Sequence, residues 1–129
     1  MPEFKTATLE LQQWLTAKLH NMPQLPFEDI ARMDFLADLS LENIRCNTGG
    51  PFAAAVFDSH SGKIISLGVN LVTSLNCSVY HAEIVAIILA QAALGKYDLK
   101  GCELFTTCRP CAMCLGAVPW SGIDKLVCG

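Results

Sequence analysis

HAEIVAIILAQAALG, residues 81–95, predicts a helix that is apolar on nearly every face and ends at its final glycine. Its first turn carries two chemically active side chains, His81 and Glu83. A second stretch, PCAMC at residues 110–114, begins with a proline, which suits the first turn of another helix. That helix would place its two cysteines one turn apart on the same face. Two helix N-termini are therefore predicted to meet at one site.

The three side chains His81, Cys111 and Cys114 make a typical donor set for zinc. One imidazole and two thiolates leave the tetrahedral ion one ligand short, and an open fourth position distinguishes a catalytic zinc from a structural one. A water in that position loses several pKa units and becomes reactive near neutral pH. Glu83 lies two residues from His81 and is predicted to be the acid/base catalyst that carries the proton of this water.

Other interpretations of the cysteines remain open at this point. A CxxC pair by itself also occurs in redox sites and in halves of structural zinc sites. Cys108, three residues before Cys111, is the strongest alternative, because a fourth ligand there would close the site as a structural Cys3His centre. More remote candidates for a fourth ligand are Cys77, Cys102 and Cys128.

The predicted domain organisation is an N-terminal amphipathic leader at 1–26, expected to pack on the rest of the chain or on a partner subunit, followed by one domain at 27–129. From the second strand onward, strands and helices alternate, which predicts parallel pairing and right-handed crossovers. The fold class is a three-layer α/β/α sandwich around a mixed sheet. The predicted elements are helices at 9–19, 27–45, 84–94 and from 110, and strands at 52–57, 64–69, 103–107 and 125–128.

The bulk composition limits the classes of protein that this chain can belong to. Its 129 residues make one domain, and 52% hydrophobic residues against 16% charged ones indicate a large core or a face hidden in an oligomer. No apolar run reaches the roughly 18 residues of a membrane span. The N-terminus lacks a secretory signal, and seven cysteines, an odd number, favour the reducing cytoplasm. A net charge of −3 without a basic cluster argues against a nucleic-acid partner.

Several motifs occur in order along the chain, namely GPFAAAV at 50–56, Asn70, HAEI at 81–84 and TCRPCAMCLGA at 107–117. Together they resemble the motifs of the cytidine-deaminase-like superfamily. Within it, the chain is most similar to the branch of guanine deaminases and tRNA adenosine deaminases. Trp120 resembles a tryptophan of the guanine deaminases, and the acidic charge points the same way. The resemblance covers roughly residues 27–129.

The resemblance implies zinc-dependent hydrolytic deamination of a purine base, most closely guanine to xanthine and ammonia. It also implies substrate contacts from the Asn70 side chain and the Ala82 backbone N–H, and an apolar wall from Phe52 and Trp120. A small-molecule nucleobase is the expected substrate, and a homodimer or larger homo-oligomer is the expected assembly. The alternatives are a tRNA adenosine deaminase or another nucleobase or nucleoside deaminase, and a non-catalytic, truncated zinc-binding relative.

Three features depart from the family pattern. Arg109 stands where the family usually has glutamate, which places a positive charge beside the zinc loop. Pro119 lies in the third turn of the predicted second helix, where it should kink or end that helix. The sequence ends at Gly129, after the fourth strand, whereas related deaminases continue with a helix and strand that resemble a lid. We therefore expect a complete zinc centre and an incomplete cover over the substrate.

Overall fold

The computed structural model describes residues 2–129, which form nine helices and strands. The predicted elements agree with them to within two residues, apart from the leader helix, which begins four residues later than expected, and the one-turn helix α3, which was not predicted. The elements are α1 (Gln13–His20), α2 (Asp29–Arg45), β1 (Ala53–Asp58), β2 (Ile64–Val69), α3 (Val72–Leu75), α4 (Ala82–Leu94), β3 (Cys102–Thr106), α5 (Ala112–Ser121) and β4 (Lys125–Cys128).

The four strands form the mixed sheet that the sequence predicts, and their order in it is β2-β1-β3-β4. The central strand β1 is antiparallel to both β2 and β3, and β4 is parallel to β3. The expectation of parallel pairing from the second strand onward is therefore correct only for β3 and β4. The reason is that β1 lies between β2 and β3, so the crossover through α4 passes over a strand instead of joining neighbours.

The sheet is covered on both faces, which gives the three predicted layers. Side chains alternate along β1, so Ala53, Ala55 and Phe57 pack with Leu15 of α1 and the buried leucines of α2. The other face of β1 packs with α4 and with the apolar side of α5. A strand buried on both faces has to be apolar throughout, and this explains the continuous AAAVF run.

The N-terminal leader packs on the rest of the chain, one of its two expected positions. Leu15 of α1 is fully buried in the cluster that covers one face of the sheet. The indole Nε1 of Trp14 donates a hydrogen bond of 2.8 Å to the Thr48 hydroxyl, which in turn donates to the Gln12 side chain at 2.8 Å. The proposed domain boundary after residue 26 stays a prediction.

Helix α4 lies unusually close to β2, and this close approach positions the site. A Cβ atom at Gly68 would stand 2.2 Å from the Ala82 carbonyl oxygen and 2.5 Å from the Ala86 nitrogen. The Ser66 hydroxyl donates a hydrogen bond of 2.7 Å to the Ala86 carbonyl and joins the same strand to the same helix. The first turn of α4 is therefore held against the end of β2.

Helix α5 ends at Ser121, within a turn of Pro119 and before Gly122, which has a left-handed φ of 82°. The prediction that proline limits this helix agrees with that boundary. Among the helices of residues 2–129, none combines the length and the apolar character that crossing a membrane requires.

Replacing Gly68 with alanine should lower the free energy of unfolding by about 1–3 kcal/mol, because the added methyl group must push α4 away from β2. Chemical denaturation measures this change. The control is Gly116→Ala, in helix α5, where a new Cβ meets no atom within 4 Å. That variant should be neutral or more stable by up to about 1 kcal/mol. Equal stability of Gly68→Ala and the wild type would contradict the close-packing argument.

Candidate active site

The N-terminal ends of α4 and α5 meet beside the end of β3. His81 is the N-cap of α4 and Cys111 is the N-cap of α5, both with extended backbone angles. The sequence predicted each residue inside the first turn of its helix. In the structure each one lies immediately before the first helical residue. A residue at an N-cap directs its side chain beyond the helix end, where the backbone N–H groups and the positive end of the helix dipole also point. Both helices therefore favour negative charge at this place.

Three donor atoms form a nearly equilateral triangle at the meeting point. The Nδ1 atom of His81 lies 3.6 Å from the Sγ of Cys111 and 3.8 Å from the Sγ of Cys114, and the two sulfurs are 3.7 Å apart. Donors bound to one tetrahedral zinc at about 2.0–2.3 Å lie about 3.5–3.8 Å from one another. Both the distances and the chemistry of the donors fit a single zinc ion.

Cys108 does not belong to this group of donors. Within residues 2–129, His81, Cys111 and Cys114 are the only cluster of three or more His, Cys, Asp or Glu ligand atoms that lie within 4.8 Å of one another. Cys108 is exposed and lines the neighbouring pocket. The arrangement therefore favours the open three-ligand site over the closed Cys3His alternative.

The two cysteines differ in their environment. Hydrogen bonds from the backbone N–H of Cys114 and then of Met113 lower the pKa of the Cys111 thiol. Burial, and next the hydrogen bond to Glu83, raise the pKa of the Cys114 thiol far above its ordinary value when no metal is bound. Zinc binding must therefore displace a proton from Cys114, because the metal binds the thiolate.

The Glu83 carboxylate lies directly beside the donor triangle and is held in place. Its side chain is only 6% exposed. The Thr106 hydroxyl donates a hydrogen bond of 2.5 Å to its Oε1, and its Oε2 lies 3.1 Å from the Sγ of Cys114. Sequence reasoning missed Thr106; the available signal was a polar residue at the end of an otherwise buried strand, just before the cysteine loop.

A pocket of about 290 Å³ opens over these groups, close to the lower size limit of small-ligand sites. It contains most of the predicted site residues. Cys114 is buried beneath it. The lining residues are Phe52, Asn70, His81, Ala82, Glu83, Cys108, Arg109, Pro110 and Cys111.

Asn70 has both a structural role and a place in the pocket. Its Oδ1 accepts a hydrogen bond of 3.1 Å from the Val72 N–H and so begins α3. The amide NH2 group of Asn70 makes no hydrogen bond to any residue between 2 and 129. The Ala82 N–H belongs to the first position of α4, where the helix itself provides no acceptor. Both groups can therefore donate to a ligand.

The structure places Trp120 outside this pocket, and its predicted role as a substrate wall stays a prediction. Trp120 is 90% exposed and is absent from the pocket lining. Helix α5 begins at the site, and nine residues of helix carry Trp120 about 13 Å along the axis from Cys111. Its side chain therefore lies at the opposite end of the helix, and it is not packed in the core either.

The sequence of residues 29–129 matches the family model described as the cytidine and deoxycytidylate deaminase zinc-binding region. The chain therefore belongs to this family of zinc-binding deaminase domains. The predicted cytidine-deaminase-like fold and the zinc-binding character of the chain are confirmed.

Individual relatives lie in the branch that the motifs indicated. Guanine deaminase of Bacillus subtilis is 45% identical over 83 residues, which cover 64% of this chain and 52% of that protein. The structure of guanine deaminase from Nitrosomonas europaea has a TM-score of 0.89 and 41% identity, covering all of this chain and 72% of the other. A Bacillus subtilis tRNA-specific adenosine deaminase is 42% identical over 69 residues, covering 54% of this chain and 43% of that protein. The chain spans about half the length of the curated relatives it matches.

The purified chain should contain one zinc ion, bound by one nitrogen and two sulfurs of the protein. Elemental analysis gives the stoichiometry, and X-ray absorption gives the ligands. Chelator competition should show affinity rising at least about tenfold from pH 6.5 to 7.5, because binding releases the Cys114 proton.

Two variants distinguish the open site from a closed one. Cys114→Ala should lose most of its zinc, whereas Cys108→Ala should keep it. A spectrum with three or four sulfurs, or loss of zinc from Cys108→Ala, would contradict the three-ligand assignment.

Proposed function

We propose that this chain catalyses the zinc-dependent hydrolytic deamination of a purine base, with guanine and water giving xanthine and ammonia. The observation that carries the proposal is the position of Glu83, whose carboxylate touches the donor triangle at the base of a pocket of ligand size. The similarity to two guanine deaminases favours guanine as the substrate.

The metal centre would be held by His81, Cys111 and Cys114. Zinc bound there supplies a Lewis acid that makes water nucleophilic near neutral pH. Two of the three residues, His81 and Cys111, line the pocket, so a metal held there would be open to water and substrate.

Glu83 would move the protons of the reaction. One oxygen, Oε1, is anchored by the Thr106 hydroxyl, so Oε2 is the oxygen that takes a proton from the attacking water. The same oxygen delivers this proton to a ring nitrogen, then takes the second proton from the hydroxyl added at the ring carbon and gives it to the departing amine, which leaves as ammonia. A carboxylate suits this sequence because it acts first as a base and then as an acid, and because it is not used as a metal ligand.

The pocket walls would orient the base. The free NH2 group of Asn70 and the N–H of Ala82 are donors and would bind acceptor atoms of the purine. Phe52 is 40% exposed and lines the pocket, so its ring is available to cover the purine on one side. Holding the ring carbon near Glu83 accounts for much of the expected rate enhancement, because positioning contributes several kcal/mol.

Ammonia release should be fastest with guanine in a panel that also contains adenine, cytosine and their nucleosides. Glu83→Gln should lower the rate by at least about 10²–10⁴-fold while zinc content and fold are retained, because an amide cannot carry the proton. A coupled ammonia assay measures the rates, and elemental analysis with circular dichroism gives the controls.

The same panel, extended by a tRNA anticodon stem-loop, tests the alternatives. Preference for adenosine in a tRNA anticodon stem-loop would favour the function of the tRNA-specific relative. A chain that binds zinc but releases no ammonia from any of these compounds would be a non-catalytic zinc-binding relative. Near-normal activity of Glu83→Gln would contradict the proton-transfer role of Glu83.

We also propose that the chain forms a homodimer through the exposed side of α5. This helix is almost entirely apolar, yet Met113, Leu115 and Trp120 are all exposed. An apolar helix face next to a site is most simply covered by another copy of the same chain. The same contact would bury Trp120, which has no packing partner in its own core.

Light scattering at micromolar concentration should therefore give twice the mass of one chain. Leu115→Lys combined with Trp120→Lys should give a folded monomer, because two charges cannot be buried in an apolar interface. The matched control is Tyr97→Lys, which changes an 84% exposed aromatic residue in the loop after α4. A wild-type monomer, or an unchanged dimer in the double variant, would refute the α5 interface.

A cytoplasmic location is the final part of the proposal. All seven cysteines are free, and no disulfide forms among residues 2–129. Exposed free thiols and a thiolate metal site persist best in a reducing compartment.

A further inference from the structure

Arg109 is a pocket residue without a structural partner. It lies in the loop between β3 and α5, is exposed, and lines the pocket together with Asn70 and Glu83. Among residues 2–129, its guanidinium makes no ion pair and no side-chain hydrogen bond. Of the lysines and arginines in the described part of the chain, only Arg109 lines this pocket. Its donors are therefore available to a ligand.

The chemistry of a guanidinium restricts what can face it. Arginine has five N–H donors in a planar fork and no acceptor, so the facing edge of the ligand has to present acceptors. An amino group or ring N–H at that edge would set donor against donor. Guanine has two adjacent acceptors, O6 and N7, on an edge away from the C2 amine that would be removed. Arginine binds this pair of atoms with two parallel hydrogen bonds.

We propose that Arg109 determines specificity by binding the O6/N7 edge of guanine, while the C2 amine faces Glu83. This inference rests on the proposed deamination of a purine and names the residue that selects among purines. Purines without an oxygen at C6 would lose one of the two hydrogen bonds, and those with a 6-amino group would also present a donor to the guanidinium. Arg109 would leave N3 and the second lone pair of O6 as the acceptors for the donors of Asn70 and Ala82.

The test compares guanine with 2-aminopurine, which keeps the C2 amine and N7 but has no O6. Arg109→Gln should reduce kcat/KM for guanine by roughly ten- to a hundredfold, as expected for a lost bidentate contact, and for 2-aminopurine by less than about threefold. The kcat/KM of Arg109→Lys for guanine should be almost as low as that of Arg109→Gln, because lysine keeps the positive charge but not the planar, two-pronged set of donors. The matched control is Arg45→Gln, an exposed arginine at the end of α2 that does not line the pocket and should leave both rates unchanged.

The outcomes separate this inference from the proposed function. If Arg109→Gln lowers kcat/KM equally for both purines, or if Arg109→Lys keeps the full kcat/KM for guanine, Arg109 does not bind the O6/N7 edge. Either result would overturn the inference even if guanine is the best substrate. If the wild type deaminates neither purine, the proposed function fails, and equilibrium binding then decides on Arg109. Displacement of fluorescent 2-aminopurine by guanine should be strong in the wild type and weak in Arg109→Gln. Equal binding of the two bases by the wild type, or no binding of either, would overturn the inference.

Discussion

The close packing of α4 on β2 is the constraint on which the site depends. Gly68 has no side chain, and this allows the first turn of α4 to rest directly against the backbone of the strand. That turn follows His81 and contains Glu83, so the depth to which the helix sinks sets the position of one metal donor and of the proposed acid/base group. The distances from His81 and Glu83 to the cysteine sulfurs of α5 would lengthen if α4 stood even an ångström farther out.

The electrostatics of the site follow from two helix N-termini that face each other. Each provides unpaired backbone N–H groups and a partial positive charge, which stabilise thiolates. Hydrogen bonds from two of these N–H groups, first that of Cys114 and then that of Met113, lower the pKa of Cys111 at the rim. Cys114 is buried next to the Glu83 carboxylate, which raises its pKa when no metal is bound. A divalent cation at the donor triangle would offset the negative charges of the Cys114 thiolate and the Glu83 carboxylate. It would therefore favour the thiolate form of Cys114 in spite of its burial.

The end of the sheet away from the site is held by a different interaction. The Arg32 Nη1 donates a hydrogen bond of 2.9 Å to the Glu103 carboxylate, and both groups are buried. Its guanidinium carbon also lies 4.1–4.9 Å from the ring centroids of Phe27, Phe57 and Phe105. These cation–π contacts stabilise the buried guanidinium of Arg32. They matter here because its Nε and Nη2 have no hydrogen-bond partner among residues 2–129. The Arg32–Glu103 ion pair joins α2 to β3. At the other end of β3, the Thr106 hydroxyl donates its hydrogen bond to Glu83.

The local pattern of the sequence was sufficient for every element except α3, for the mixed α/β class, and for the three side chains that meet in the donor triangle. Apolar periodicity, Gly95, Pro110 and the spacing of His81, Cys111 and Cys114 are short-range signals, and they required no knowledge of how distant segments meet. Tertiary structure alone decided that β1 lies between β2 and β3, that Thr106 holds Glu83, and that Trp120 is exposed and does not line the pocket. These features depend on strand order and on the direction of a side chain at the far end of a helix. Such relations arise from packing between segments that are distant along the chain, and for that reason the sequence pattern does not contain them.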